Sequence, residues 1–136
     1  MVLDISSQIT FLYYQDLVEA ENFFSDVMNL RLAQDEGWAK VYQINDTSFI
    51  GVVDENKGIV RTKGENAVVV TLCVENVDKW YNHLLKKDVK ILKEVAECKD
   101  LQLKNFFVKG PGNYMFEFLQ YLSPNARKVF HKQNDC

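Results

Sequence analysis

The chain has 136 residues, 47% hydrophobic and 26% charged, with 16 basic and 19 acidic side chains and a net charge of −3. That composition excludes a disordered chain and a collagen-like repeat, and the acidic balance leaves no electrostatic footprint for nucleic acid. The length predicts one domain, or two very small halves sharing a core, with roughly two-thirds of the unfolded surface hidden on folding.

Gln8 to Tyr14 is rich in β-branched and aromatic residues and reads as a strand. Asp16 is placed as an N-cap, with Glu19 in the capping-box position. Leu17, Ala20, Phe23, Phe24, Val27 and Met28 recur at helical spacing, which predicts an amphipathic helix from Asp16 to Met28, ended by Asn29. Leu30–Ala33, Trp38–Ile44 and Ser48–Val53 follow as strands of an antiparallel meander. Asp54 to Asn66 is polar, carries Gly58 and Gly64, and reads as a loop or linker.

Then the order restarts. Ala67 to Val74 is a strand, and Asn76 caps a helix whose apolar stripe is Val77, Trp80, Tyr81, Leu84 and Leu85. Val89–Leu92 and Leu103–Val108 are strands, and the turn Gly110-Pro111-Gly112-Asn113 leads into a strand from Tyr114 to Leu119. Ser123-Pro124 opens a last helix running to about Gln133. The basic run Lys86, Lys87, Lys90 and Lys93 reads as a solvated helix end.

No apolar run approaches the ~20 residues of a membrane span. Met1-Val2-Leu3-Asp4 lacks the basic flank and apolar stretch of a signal peptide. Cys73, Cys98 and Cys136 are odd in number and far apart, which predicts a cytoplasmic protein with neither a disulfide framework nor a metal clip.

The β-α-β-β-β order thus occurs twice. Ile9 falls on Val69, Leu12 on Leu72, Tyr14 on Val74 and Asp16 on Asn76; later, Ser48-Phe49-Ile50-Gly51 falls on Tyr114-Met115-Phe116-Glu117. Each half is too small to be stable alone. The expected fold is α+β: two βαβββ modules (about 8–54 and 67–122) forming a curved mixed sheet around a trough, helices outside, plus a C-terminal helix (about 123–134). Residues two apart on a strand share a face. With Leu12 and Leu72 on the helices, Ile9, Phe11, Tyr13, Val69, Thr71 and Cys73 face the trough, and so do Gly51 and Glu117.

Three motifs then carry a resemblance. They are Tyr14-Gln15-Asp16-Leu17 with Ala20 and Phe23-Phe24, Val74-Glu75-Asn76-Val77-Asp78-Lys79-Trp80-Tyr81 with Leu84, and Lys109-Gly110-Pro111-Gly112-Asn113 through Glu117-Phe118. Together they resemble the glyoxalase / bleomycin-resistance / dioxygenase family, the vicinal oxygen chelate superfamily, over Ile9 to Leu122. Gly110 stands where the family's closing hairpin usually has Asp.

The resemblance implies a divalent metal held by His, Gln or Glu at the first and last strands of each module. Those positions here are Ile9, Gly51, Val69 and Glu117, of which only Glu117 can bind a cation. His83 and His131 lie on helices and do not rescue the site. The family's drug-sequestering branch is the nearer likeness, and it implies a homodimer. The expectation is therefore a metal-free small-molecule binding protein that sequesters or senses its ligand, with no cofactor and no nucleic-acid or membrane partner. The expected ligand-binding residues are Phe11, Tyr13, Trp38, Lys40, Tyr42, Phe49, Thr71, Phe106, Met115 and Glu117.

Each has a plainer reading. Trp38 and Tyr42 either stack on a flat ligand or fill the trough or a dimer interface. Glu117 is either a relic, bonded to Tyr13 or paired with Lys40, or a catalytic base. Lys40 either serves the ligand or snorkels to solvent. Cys73 reads as an inert thiol rather than a nucleophile. Two alternatives stand beside the binding protein: a lyase, isomerase or dioxygenase with altered metal ligands or with Glu117 as base, and an interaction module with a filled trough.

Overall fold

Asp16 turns the first strand into the first helix. In the computed structural model, which describes residues 3, 5–58, 62, 66 and 68–132, β1 runs Gln8–Tyr14 and α1 runs Leu17–Asn22. The Asp16 carboxylate accepts hydrogen bonds from the Val18 and Glu19 backbone N–H groups at 3.1 and 3.3 Å, satisfying two donors that the helix leaves open. The helix does not continue regularly to Met28 as its apolar spacing predicts. It widens into a π-type turn, Phe23–Val27, where the Met28 N–H reaches back to the Phe23 carbonyl at 2.9 Å. Phe23 and Phe24 are both buried there, with their rings edge-to-face at 5.0 Å. Asn29, at φ 55, ends the element in the left-handed conformation that Asn tolerates.

The three following strands are β2 (Arg31–Asp35), β3 (Ala39–Gln43) and β4 (Ser48–Asp54). They form the expected antiparallel meander, and β1 joins β4 in parallel, giving the order β1-β4-β3-β2. This compact unit is Met1–Asn66; a second, Ala67–Cys136, repeats its plan.

In the second unit the elements are β5 (Val69–Cys73), α2 (Val77–Leu85), β6 (Lys90–Cys98), β7 (Leu103–Lys109), β8 (Met115–Tyr121) and α3 (Pro124–Phe130), with sheet order β5-β8-β7-β6. Asn76 caps α2 by accepting from Lys79 N–H at 3.1 Å, and the Gln120 side chain accepts from Val77 N–H at 3.0 Å. The apolar stripe of α2 lands on an aromatic stack: Trp80 lies on Phe118 at 5.3 Å, Phe118 on Phe106 at 4.9 Å, and Tyr81 meets Phe106 edge-on at 5.1 Å.

The internal repeat holds at the level of register. Ile9 and Phe11 pair with Phe49 and Gly51 in the first sheet, as Val69 and Thr71 pair with Met115 and Glu117 in the second. β6 is longer than its expected span and carries two register shifts. It is a sheet edge, where mostly exposed residues and bulges remove the alternation that betrays a strand. The expected Gly110–Asn113 turn is a short 3₁₀ turn, Pro111–Asn113, with Gly112 and Asn113 at positive φ.

Ser123 caps α3 from its side chain, and the helix ends at Phe130, before the expected Gln133, which lies outside the described residues. His131 then closes it down. Its Nε2 accepts from the Tyr121 N–H at 2.9 Å and its Nδ1 lies 2.6 Å from the Glu75 carboxylate. With Nε2 accepting, the ring carries a proton on Nδ1 and donates it to Glu75. Desolvation opposes ionisation of Glu75. The His131 hydrogen bond, the Lys132 backbone and the Arg127 guanidinium outweigh it, and the carboxyl sits below the usual carboxylate range. A lowered carboxyl pKa gives stability that is present above the unfolded value and lost as pH falls through the folded one. His131→Ala is expected to leave the Tyr121 N–H without its ring acceptor, costing about 1–3 kcal/mol. Hydrogen exchange at Tyr121 checks this; unchanged protection in the variant would contradict it.

Candidate functional site

Each sheet has one face against its helix and one open face. In the first unit Leu12, Tyr14, Tyr42, Ile50 and Val52 are buried under α1, whereas Ile9 and Phe11 on the other side of β1 remain 44% and 46% exposed. The open face is aromatic and aliphatic, from Phe11, Tyr13 and Phe49 to Val53. It has one special feature. A Cβ built at Gly51 would sit 2.3 Å from the Phe11 ring, so that ring fills the space over Gly51. The position that would supply a metal ligand from the first module is therefore bare of donors and covered by a phenyl ring.

In the second unit the open face carries a polar row across all four strands. Lys93 Nζ on β6 donates to Asn105 Oδ1 at 2.9 Å, Asn105 Nδ2 on β7 donates to Glu117 Oε2 at 2.8 Å, and Thr71 Oγ1 on β5 donates to Glu117 Oε1 at 2.8 Å. Val69 and Met115, paired in register, lie beside it, and so does Phe107, the cross-strand partner of Glu117. Glu117 thus takes neutral donors on both oxygens, Thr71 on one and Asn105 on the other. Lys93 is not part of a solvated helix end; the bulge in β6 turns it onto the sheet. The signal for this row was visible only in part, because Asn105 follows from strand alternation with Glu117 across β7, while Lys93 depends on the bulge.

Three of the expected lining residues face the helices instead. Tyr42 is 2% exposed; its ring lies 5.7 Å from Phe24 and its hydroxyl accepts from Ser25 Oγ at 3.2 Å. Lys40, on the same side of β3, pairs with Glu21 of α1 at 2.8 Å and with Asp35 at 3.6 Å. The Glu21 carboxylate, by its hydrogen bond, holds the Lys40 ammonium above its usual range. Phe106 is part of the aromatic stack under α2. The physical reason is register: Lys40 and Tyr42 pair with Val52 and Ile50, and Phe106 with Phe118, all residues of the helix side. Trp38 precedes β3 and is 46% exposed, with its carbonyl accepting from Asp54 N–H. Phe11, Tyr13 and Phe49 fall on the open face of the first sheet, and Thr71, Met115 and Glu117 on that of the second.

Cys73 shares the open face of β5. Desolvation against the sheet, then the charge of Glu117, push its thiol up, so it is protonated at neutral pH and is no ready nucleophile.

The donor set does not fit a divalent metal. Ile9, Gly51 and Val69 have no side-chain donor, which leaves Glu117 as one ligand where a divalent ion needs three or four. Among the described residues no group of three His, Cys, Asp or Glu is placed to hold an ion. No helix among them is long and apolar enough to cross a membrane.

Two βαβββ units of this register, each with a helix on one sheet face, define the fold class of this protein. The Glyoxalase/Bleomycin resistance protein/Dioxygenase superfamily model matches residues 7–118, and the chain belongs to that superfamily. No curated protein matches the sequence significantly. Among solved structures, a glyoxalase/bleomycin resistance protein/dioxygenase from Nocardioides is similar at TM-score 0.74 and 12% identity, covering 91% of this chain and 88% of that one. TioX from Micromonospora sp. ML1 is similar at 0.74 and 16%, covering 86% and 99%. Lactoylglutathione lyase from Agrobacterium tumefaciens is similar at 0.66 and 17%, covering 82% and 90%. At these identities the likeness is one of fold.

Proposed function

We propose that this chain is a metal-free small-molecule binding member of the superfamily, which sequesters or senses its ligand and works as a cytoplasmic homodimer. The observation that carries this reading is the loss of donors at Ile9, Gly51 and Val69, together with the Phe11 ring lying over Gly51. Electron-pair donors on rigid strands are what a metal needs, and their replacement by apolar groups turns the open faces toward burying apolar surface. The polar groups that remain are few and fixed, as in a recognition site. Phe11, Tyr13 and Phe49 supply apolar contact in this reading, and Thr71, Met115 and Glu117 supply the mixed face of the second sheet.

The test is ligand-observed NMR with an aromatic fragment library, run in EDTA and again with added zinc or manganese. Fragments are expected to bind equally in both, and Phe11→Ala to weaken them. Binding or turnover that appears only with added metal overturns the reading, as does a library from which nothing binds.

A further inference from the structure

The two open faces differ in one respect that bears on ligand choice. On the first, strand alternation brings apolar side chains to the centre; on the second, it places a carboxylate there. Glu117 is half-buried, flanked by Met115 and Leu119 along its own strand and by Phe107 across it. Both oxygens are oriented by neutral donors, Thr71 and Asn105, at 2.8 Å. Among the described residues no Lys, Arg or His lies within ion-pair distance of it. Among the described strand residues, the basic groups that register places on the same face are Lys90, Lys93 and Lys109, with Lys90 paired to Lys109. Lys93 is committed to the Asn105 side chain at 2.9 Å and to the Asn105 and Glu94 carbonyls at 3.4 and 3.5 Å. Lys109 stands opposite Met115 in register, at the exposed end of β7.

A carboxylate held rigid among apolar neighbours, with no cationic partner among the described residues, is an incomplete pair. Each oxygen uses one lone pair on the protein and keeps one for a donor from outside. Lys93 polarises the Asn105 amide that donates to Glu117, which fixes the carboxylate without neutralising it. Phe107 presents a ring next to it. That ring already attracts a cation, with Lys93 Nζ 6.0 Å from its centre.

We propose that Glu117, positioned by Thr71 and Asn105, recognises the ammonium group of an organic amine whose apolar or aromatic body packs along Phe107, Met115 and Val69. The proposal rests on the binding reading above and narrows its ligand class. The ammonium completes the charge pair with Glu117 by charge-assisted hydrogen bonds, and the body of the ligand covers the apolar flank. Thr71 and Asn105 are positioning residues: they hold the carboxylate, and the ammonium is bound by Glu117.

The experiment compares tryptamine, 3-methylindole and indole-3-acetate by NMR titration of the full chain at neutral pH. Tryptamine is expected to bind about tenfold or more tightly than 3-methylindole, with indole-3-acetate weakest, and to shift the amides of Thr71, Phe107 and Glu117. Glu117→Gln is expected to remove the preference for tryptamine over 3-methylindole. The wild-type comparison stands without the variant should Glu117→Gln fail to fold. Equal binding of tryptamine and 3-methylindole, or tryptamine shifts confined to other residues, overturns the amine assignment while leaving the metal-free reading standing. Absence of binding by any of the three also overturns it, and the fragment library then decides the broader reading separately.

Discussion

Phe118→Ala is expected to unfold the second unit under conditions where the wild type is stable. Phe118 is fully buried, and its ring is sandwiched between Phe106 at 4.9 Å and Trp80 at 5.3 Å. It is therefore the middle of the stack that joins α2 to β7 and β8. Truncating a buried aromatic side chain to Ala costs about 3–5 kcal/mol, because the lost burial is compounded by a cavity that neighbours only partly close. A unit of this size has a total stability of the same order, at roughly 0.05–0.15 kcal/mol per residue. Urea denaturation followed by tryptophan fluorescence reads the effect, since Trp80 is the reporter in contact. A loss below about 1 kcal/mol would mean that the stack does not bear on stability as the burial implies.

The second large effect is expected at Gly110. Gly110 holds the N-cap position of the 3₁₀ turn, and its N–H closes the hairpin onto the Tyr114 carbonyl at 2.8 Å. Asp, the usual residue of the family motif at this place, is a good cap and by that alone would add about 1 kcal/mol. Packing decides the other way. A Cβ at Gly110 would lie 2.5 and 2.8 Å from two atoms of the Phe116 ring, and Phe116 is fully buried and cannot swing aside into solvent. Gly110→Ala is expected to cost about 1–3 kcal/mol by overpacking, and Gly110→Asp at least as much, since it also takes a carboxylate into a buried position. Thermal denaturation of the two variants checks this. A Gly110→Asp protein more stable than the wild type would show that Phe116 has room to move. The departure from the family motif is then a local answer to a large ring at position 116.

The contrast with Gly51 is instructive. There the clashing atoms belong to Phe11, which is half-exposed on an open face and can turn away. The same geometric conflict is costly in a core and cheap at a surface.

Much of the fold was legible in the sequence, for physical reasons that also mark where reading stopped. The strong alternation of Gln8–Tyr14 and the caps at Asp16, Asn76 and Ser123 fixed element identity, because each cap side chain does bond the orphan N–H groups expected of it. The pairing of Ile9 with Phe49 and of Val69 with Met115 follows from the repeat. The face of β3 did not. Trp38, Lys40 and Tyr42 alternate against Ala39, Val41 and Gln43, and either set could have met the helix. Large aromatics next to a lysine suggested a ligand surface, yet Lys40 reaches the helix because Glu21 is there to meet it. Phe106 was misplaced by the same ambiguity on a strand with apolar residues on both faces. The π-type turn at Phe23–Val27 and the bulges in β6 break periodicity itself, so no pattern-based reading reaches them. The polar row on the second sheet depends on one of those bulges through Lys93. Glu117 and Thr71 were expected on the trough face beforehand, and Asn105 and Lys93 were not.

The measurement that bears most directly on a metal-free binding role is elemental analysis of the purified chain after incubation with zinc, nickel, iron and manganese and exhaustive dialysis. With Ile9, Gly51 and Val69 at three of the ligand positions and Glu117 the one side-chain donor left, each metal is expected at far below one ion per chain. Retention of about one ion per chain, lost on Glu117→Ala, would contradict it.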